Sequence, residues 1–156
     1  DDKIKVGPGT GAHKWTQLRG ALPKVQGECL YFTNYAPCEF EFTIERPADR
    51  YTVYGNIRNS ISYPYARIFF NYYLQDSTGA EIEKKLVTQY LFDAKTGKPF
   101  GNSGLGDIYD HSFELLKNYQ FKHRGRYKIK LEQLMRVDTL QGILAVGVRV
   151  ENTSAE

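Results

Sequence analysis

Residues 38–45, CEFEFTIE, alternate strictly: Cys38, Phe40, Phe42 and Ile44 fall on one side, Glu39, Glu41, Thr43 and Glu45 on the other. Side chains switch faces at every residue of a strand, so this octet predicts a strand with one face in a core and one in water. RPAD turns the chain, and YTVYGNI (51–57) repeats the pattern with Tyr51, Val53, Gly55 and Ile57 on one face. ARIFFNYYLQ (66–75) keeps Ile68, Phe70 and Tyr72 in parity but is apolar on both faces, as a central or doubly covered strand is.

After the turn DSTGA, the alternation of EIEKKLVTQYLFD (81–93) weakens, and Ile82, Leu86 and Tyr90 also fit a spacing of four. Its strand neighbours favour a strand. SFELLKNYQF (112–121) is ambiguous, whereas GRYKIKLEQLM (125–135) and ILAVGVRVE (143–151) are clear strands. Short strands with Gly, Pro and Asn punctuation and no long amphipathic helix predict an all-β fold, an antiparallel β-sandwich of jelly-roll type.

The 156 residues suit one domain, with 12 Tyr and 9 Phe to fill a half-buried pleated surface. The polar, glycine-rich opening DDKIKVGPGTG predicts a tether over residues 1–25, leaving residues 26–156 as the sandwich domain. The net charge of +3 is small and both signs are interspersed, whereas a nucleic-acid binder usually shows a concentrated basic stripe. The densest basic run, KHRGRYKIK (122–130), alternates with Tyr127 and Ile129, as a solvated outer face does. No apolar run approaches the ~20 residues of a membrane span.

Cys29 and Cys38 fit no zinc pattern. They are either a disulfide, which an envelope location permits, or two small buried hydrophobes. If ECLYF and CEFEFTIE form a hairpin around TNYAP, Thr33 faces Cys38 and Cys29 lies about four rungs away, beyond the ~7 Å limit for a disulfide. On that pairing no bond forms.

Catalytic motifs fail on inspection. GNSGLG has Leu105 where a nucleophile elbow needs glycine, and Gly101, Gly104 and Gly106 lack the spacing and following lysine of a phosphate loop. These glycines are expected to supply positive φ angles in a surface loop. His13, His111 and His123 are scattered, and DIYDH (107–111) offers too few oxygens for calcium. Glu39, Glu41 and Glu45 share an outer face without a cleft to shift a carboxyl pKa. The expectation is a non-enzyme with no cofactor and no metal.

Four further stretches carry a resemblance. YTVYGNIRNSISYPYARIFF, GKPFGNSGLGDI, GRYKIKLEQLMR and LQGILAVGVRVE, in that order and at compatible spacing, resemble the gliding-motility lipoprotein family GldH of the Bacteroidota. Phe100, preceded by Pro99, stands where that family commonly carries tryptophan, and the N-terminal third matches poorly. The resemblance implies a cell-envelope lipoprotein, periplasm-facing and membrane-anchored through an acylated cysteine preceding Asp1. It also implies partners among the envelope proteins of the motility or linked secretion machinery, and no enzymatic activity or cofactor.

In NSISYPY, Asn59, Tyr63, Pro64 and Tyr65 are expected in a connection between strands, where binding residues concentrate, although tyrosines also cap the end of a sandwich. Asn59, Tyr63, Tyr65 and Phe100 are the candidate binding residues, on loops 59–66 and 97–107 at the sandwich rim. Arg58 and Arg136 are expected to serve the fold, with Asp107 as favoured partner, since a held guanidinium needs its donors satisfied. The leading function is protein contact without catalysis; the alternative is a carbohydrate-binding jelly-roll module of the envelope.

Overall fold

The structure is a computed structural model that describes residues 5–6, 13–18, 24–30, 32–103 and 106–154. In chain order the strands are β1 (Lys5–Val6), β2 (His13–Leu18), β3 (Lys24–Cys29), β4 (Cys38–Ile44), β5 (Tyr51–Ser60) and β6 (Arg67–Gln75). They continue as β7 (Glu81–Tyr90), β8 (Asn102–Ser103), β9 (Ile108–Tyr119), β10 (Gly125–Gln133) and β11 (Ile143–Asn152). One sheet runs β1-β4-β10-β6-β7, the other β2-β3-β11-β5-β9-β8. Every pairing is antiparallel.

Set aside the short β1 and β8 and the edge strand β2, and renumber the rest from β3. The sheets then run first-eighth-third-sixth and second-seventh-fourth-fifth, the jelly-roll order. Consecutive strands therefore tend to cross between layers instead of pairing as hairpins.

That crossing corrects the cysteine expectation. Cys29 ends β3 in the six-stranded sheet and Cys38 opens β4 in the other, so they face each other through the core with Cα atoms 6.2 Å apart and are disulfide-bonded. The hairpin around TNYAP does not exist; Thr33 instead bridges to Thr139. Where the opening segment is described it carries strands, Lys5–Val6 pairing with β4 and His13–Leu18 with β3.

The alternation of the sequence becomes the core. Phe40, Phe42 and Ile44 of β4, Ile68, Phe70 and Tyr72 of β6, and Tyr127, Ile129 and Leu131 of β10 are buried against Val53 and Ile57 of β5 and Val146, Val148 and Val150 of β11. Segment 81–90 is strand, and 112–119 belongs to strand β9, which settles both ambiguous stretches. β6 is buried on one face only. Its outward Phe69 and Tyr73 lie beneath cations, with Arg67 4.7 Å from the Phe69 ring centre and Lys84 5.4 Å from that of Tyr73.

One end of the sandwich is closed by rings. Phe121 meets Tyr127 at 4.6 Å, Tyr119 at 4.8 Å and Tyr51 at 5.8 Å between ring centres. In mid-sheet, Gly55 leaves room for a neighbour, because a Cβ there would stand 2.6 Å from the Phe113 ring.

Candidate functional site

The other end collects the four connections β3–β4, β5–β6, β7–β9 and β10–β11, and main-chain bonds knit them together. Ser60 N–H donates to Gly142 O at 2.8 Å, Ile61 N–H to Asp107 O at 2.9 Å, and Leu91 N–H to Ala66 O at 2.8 Å. The buried Gln133 side chain donates to Val137 O at 2.8 Å and to Phe32 O at 3.4 Å, tying the β10–β11 connection to the β3–β4 one. These bonds give the loops the fixed geometry of the scaffold beneath them.

Tyr63, held extended by Pro64, turns inward at 3 % exposure and donates its hydroxyl to Arg67 O at 2.9 Å. Burial raises its pKa. Gly142, at φ +86°, packs so tightly on Tyr63 that a Cβ would lie 2.5 Å from the Tyr63 nitrogen. Tyr63 is the plug of this end. Tyr65 stands edge-on to it at 5.6 Å between ring centres and is 44 % exposed; Phe100 is 43 % exposed.

Asn59 differs from expectation. It lies inside β5, whose inward parity runs through Tyr51, Val53, Gly55 and Ile57 to Asn59, and it is fully buried. Its amide nitrogen donates to Ser60 O, so its Oδ1 accepts from His111 Nε2 at 2.7 Å. Burial lowers the His111 pKa, opposed in part by Asp110. The pair is a satisfied polar contact inside the sandwich, and a ligand outside does not reach Asn59.

The two arginines, each expected to meet a backbone carbonyl or a carboxylate, differ from one another. Arg58 pairs with Asp110, Nε to Oδ1 at 2.8 Å, and not with Asp107; that hydrogen bond raises the Arg58 pKa. Asp107 contributes its carbonyl, to Ile61. Arg136 is exposed at φ +63° and has no side-chain partner among the described residues. Gly101 and Gly106 have positive φ as expected, and Gly104 lies outside the described residues.

Ten large hydrophobic side chains are exposed among the described residues, and eight sit at or beside these connections. Leu30 and Tyr35 come from the first, Ile61 and Tyr65 from the second, Tyr90 and Phe100 from the third, and Leu134 and Leu144 flank the fourth. Tyr35, at 77 %, is the most open. Tyr35, Ile61, Leu134 and Leu144 are rim residues that strand patterning does not single out, because only the topology brings them together.

The model of the GldH lipoprotein family matches residues 33–150, which cover most of this end and the sandwich from β4 onward. The chain belongs to that family. The gliding motility lipoprotein GldH of Flavobacterium johnsoniae is 26 % identical over 119 residues, spanning 72 % of each chain. GldH is a lipoprotein family linked to gliding motility, which implies a lipid-anchored envelope location.

Solved structures resemble this GldH protein only loosely. A carbohydrate-binding module specific for non-crystalline cellulose aligns at TM-score 0.44 and 14 % identity, over 88 % of this chain and 77 % of that one. The K3 adhesin domain of Lys-gingipain from Porphyromonas gingivalis aligns at TM-score 0.37 and 7 % identity, over 83 % and 74 %. Likenesses this loose carry nothing about function.

Proposed function

We propose that this GldH-family protein works at the periplasm-facing membrane surface by non-catalytic contact, presenting the loop end of its sandwich to another envelope protein of the motility or linked secretion machinery. The supporting observation is the concentration of exposed hydrophobic side chains on one rigid rim. Exposed apolar groups scattered singly need no explanation, whereas a grouping at one end suits a partner surface. Aromatic rings on a braced loop contribute large contact area at low entropic cost. In this reading Tyr65 and Phe100 touch the partner, Tyr63 and Asn59 hold the rim in shape, and an acylated cysteine upstream of Asp1 anchors the protein.

The experiment is capture of envelope proteins from detergent-solubilised membranes of the source bacterium. The bait is the lipidated chain, either wild-type or carrying Tyr65→Ala and Phe100→Ala together. Both rings are exposed, so the unfolding free energy from urea titration should change by less than about 0.5 kcal/mol for each. Capture of the motility or secretion component should fall about tenfold or more, the loss of about 1.4 kcal/mol or more expected of interface anchors. Undiminished capture by the folded double variant refutes the loop-end reading.

A further inference from the structure

The outer face of the six-stranded sheet holds a depression of about 210 Å³. It is built by residue size. The central strand β11 turns Ala145 and Gly147 outward, and both are buried by their taller neighbours although no layer of the described residues covers them. Gly147 is flanked in register by Glu28 on β3 and Asn56 on β5, and Asn56 by Ser112 on β9. One row along, Ala145, Arg58, Asp110 and Asn102 follow one another across four strands.

The charges of the lining balance: Arg58 and Arg149 against Glu28 and Asp110. Arg149 is committed, donating to Glu151 at 2.6 Å and lying 4.0 Å from the centre of the Tyr54 ring. Arg58 spends only Nε, on Asp110. Its terminal amino groups, the Asn56 and Asn102 amides and the Ser112 hydroxyl have no hydrogen-bond partner among the described residues.

This composition discriminates between ligand classes. An anion would meet Glu28 and Asp110, a cation would meet the two arginines, and an apolar ligand would strand the amides without partners. A sugar hydroxyl both donates and accepts, so a neutral ring bearing several of them satisfies a mixed set of amide, hydroxyl, guanidinium and carboxylate groups. We propose that this depression binds one ring of a neutral saccharide. Its volume lies below the roughly 300 Å³ at which ligand pockets usually begin, which limits occupancy to a single ring and affinity to the millimolar range. The proposal is independent of the loop-end contact.

The test is titration of the 15N-labelled chain, followed by 1H–15N correlation spectra, with the methyl glycosides of glucose, galactose and mannose and with N-acetylglucosamine. Each is taken to about 50 mM, beside sodium glucuronate and glucosamine hydrochloride as charged probes. At least one neutral sugar is expected to give saturable shifts at Asn56, Arg58, Ser112 and Gly147 with Kd about 1–10 mM, tighter than either charged probe. Asn56→Ala with Ser112→Ala should weaken binding about fivefold or more. If that variant fails to fold, Asn102→Ala in the exposed β8 takes its place, and Leu86→Ala, exposed on β7 of the other sheet, should leave binding unchanged. No saturable shift with any neutral sugar, tighter binding of a charged probe, or full affinity in the lining variant overturns the proposal.

Discussion

Reducing the Cys29–Cys38 bridge measures how strongly it holds the two layers together. The cysteines are 9 residues apart in sequence. The loop-closure entropy removed from the unfolded chain by a ring of that size corresponds to about 2.6 kcal/mol. Cys29→Ala with Cys38→Ala also deletes two fully buried sulfur atoms, adding about 1–2 kcal/mol for lost burial and packing. The double variant should therefore lose about 4 kcal/mol, a large share of the stability of a domain this size. Simple reduction should lose only the first part. Urea unfolding followed by near-ultraviolet circular dichroism, with and without a phosphine reductant, separates the two terms, and thiol titration in denaturant counts the bond. Two free thiols in the unreduced protein, or an unfolding free energy changed by less than about 0.5 kcal/mol on reduction, would refute the reasoning.

Gly142→Ala combines left-handed backbone strain with a collision against the Tyr63 main chain, and should cost at least about 2 kcal/mol. Gly79→Ala is its control, at the same φ of +86° with nothing within 4 Å, so equal unfolding free energies for the two variants would remove the collision from the account. His111 provides a pH test. Its folded pKa lies below the ordinary value of about 6.5, so its contribution to stability is complete above that pH. Below it, acid favours the unfolded chain by at most about 1.4 kcal/mol per pH unit until the folded pKa is passed. His111→Gln should flatten that limb as pH falls below about 6.5, and parallel acid loss in both proteins would assign it to other groups.

The strands were plain in the sequence wherever one face is buried and the other wet. Residues 38–44 and 125–133 show this in every position. Asn59 was within reach of the same rule: the parity from Tyr51 to Ile57 continues inward to it, but its polar character and its closeness to Pro64 suggested a loop. Phe69 and Tyr73 misled in the opposite direction, because half-covered rings under cations resemble a second buried face. The disulfide was out of reach for a deeper reason. Alternation tells which face a residue takes but not which sheet its strand joins, and Cys29 and Cys38 meet only because β3 and β4 join different sheets. The depression has the same origin, since Ala145 and Gly147 form a floor only beside Asn56, Arg58 and Glu28.

The bridge also decides how the molecule carries load. The layers of a sandwich adhere through interlocking side chains, which slide past one another far more readily than a covalent bond breaks. In the proposed arrangement, with the acyl anchor upstream, tension that reaches Cys29 has passed along β3 and crosses the sulfurs into β4 of the other sheet. The connection between the two cysteines, with Leu30 and Tyr35 on the rim, is closed off by that crossing and lies outside this load path. A pull from the membrane is thus shared by both sheets without being drawn through this part of the rim.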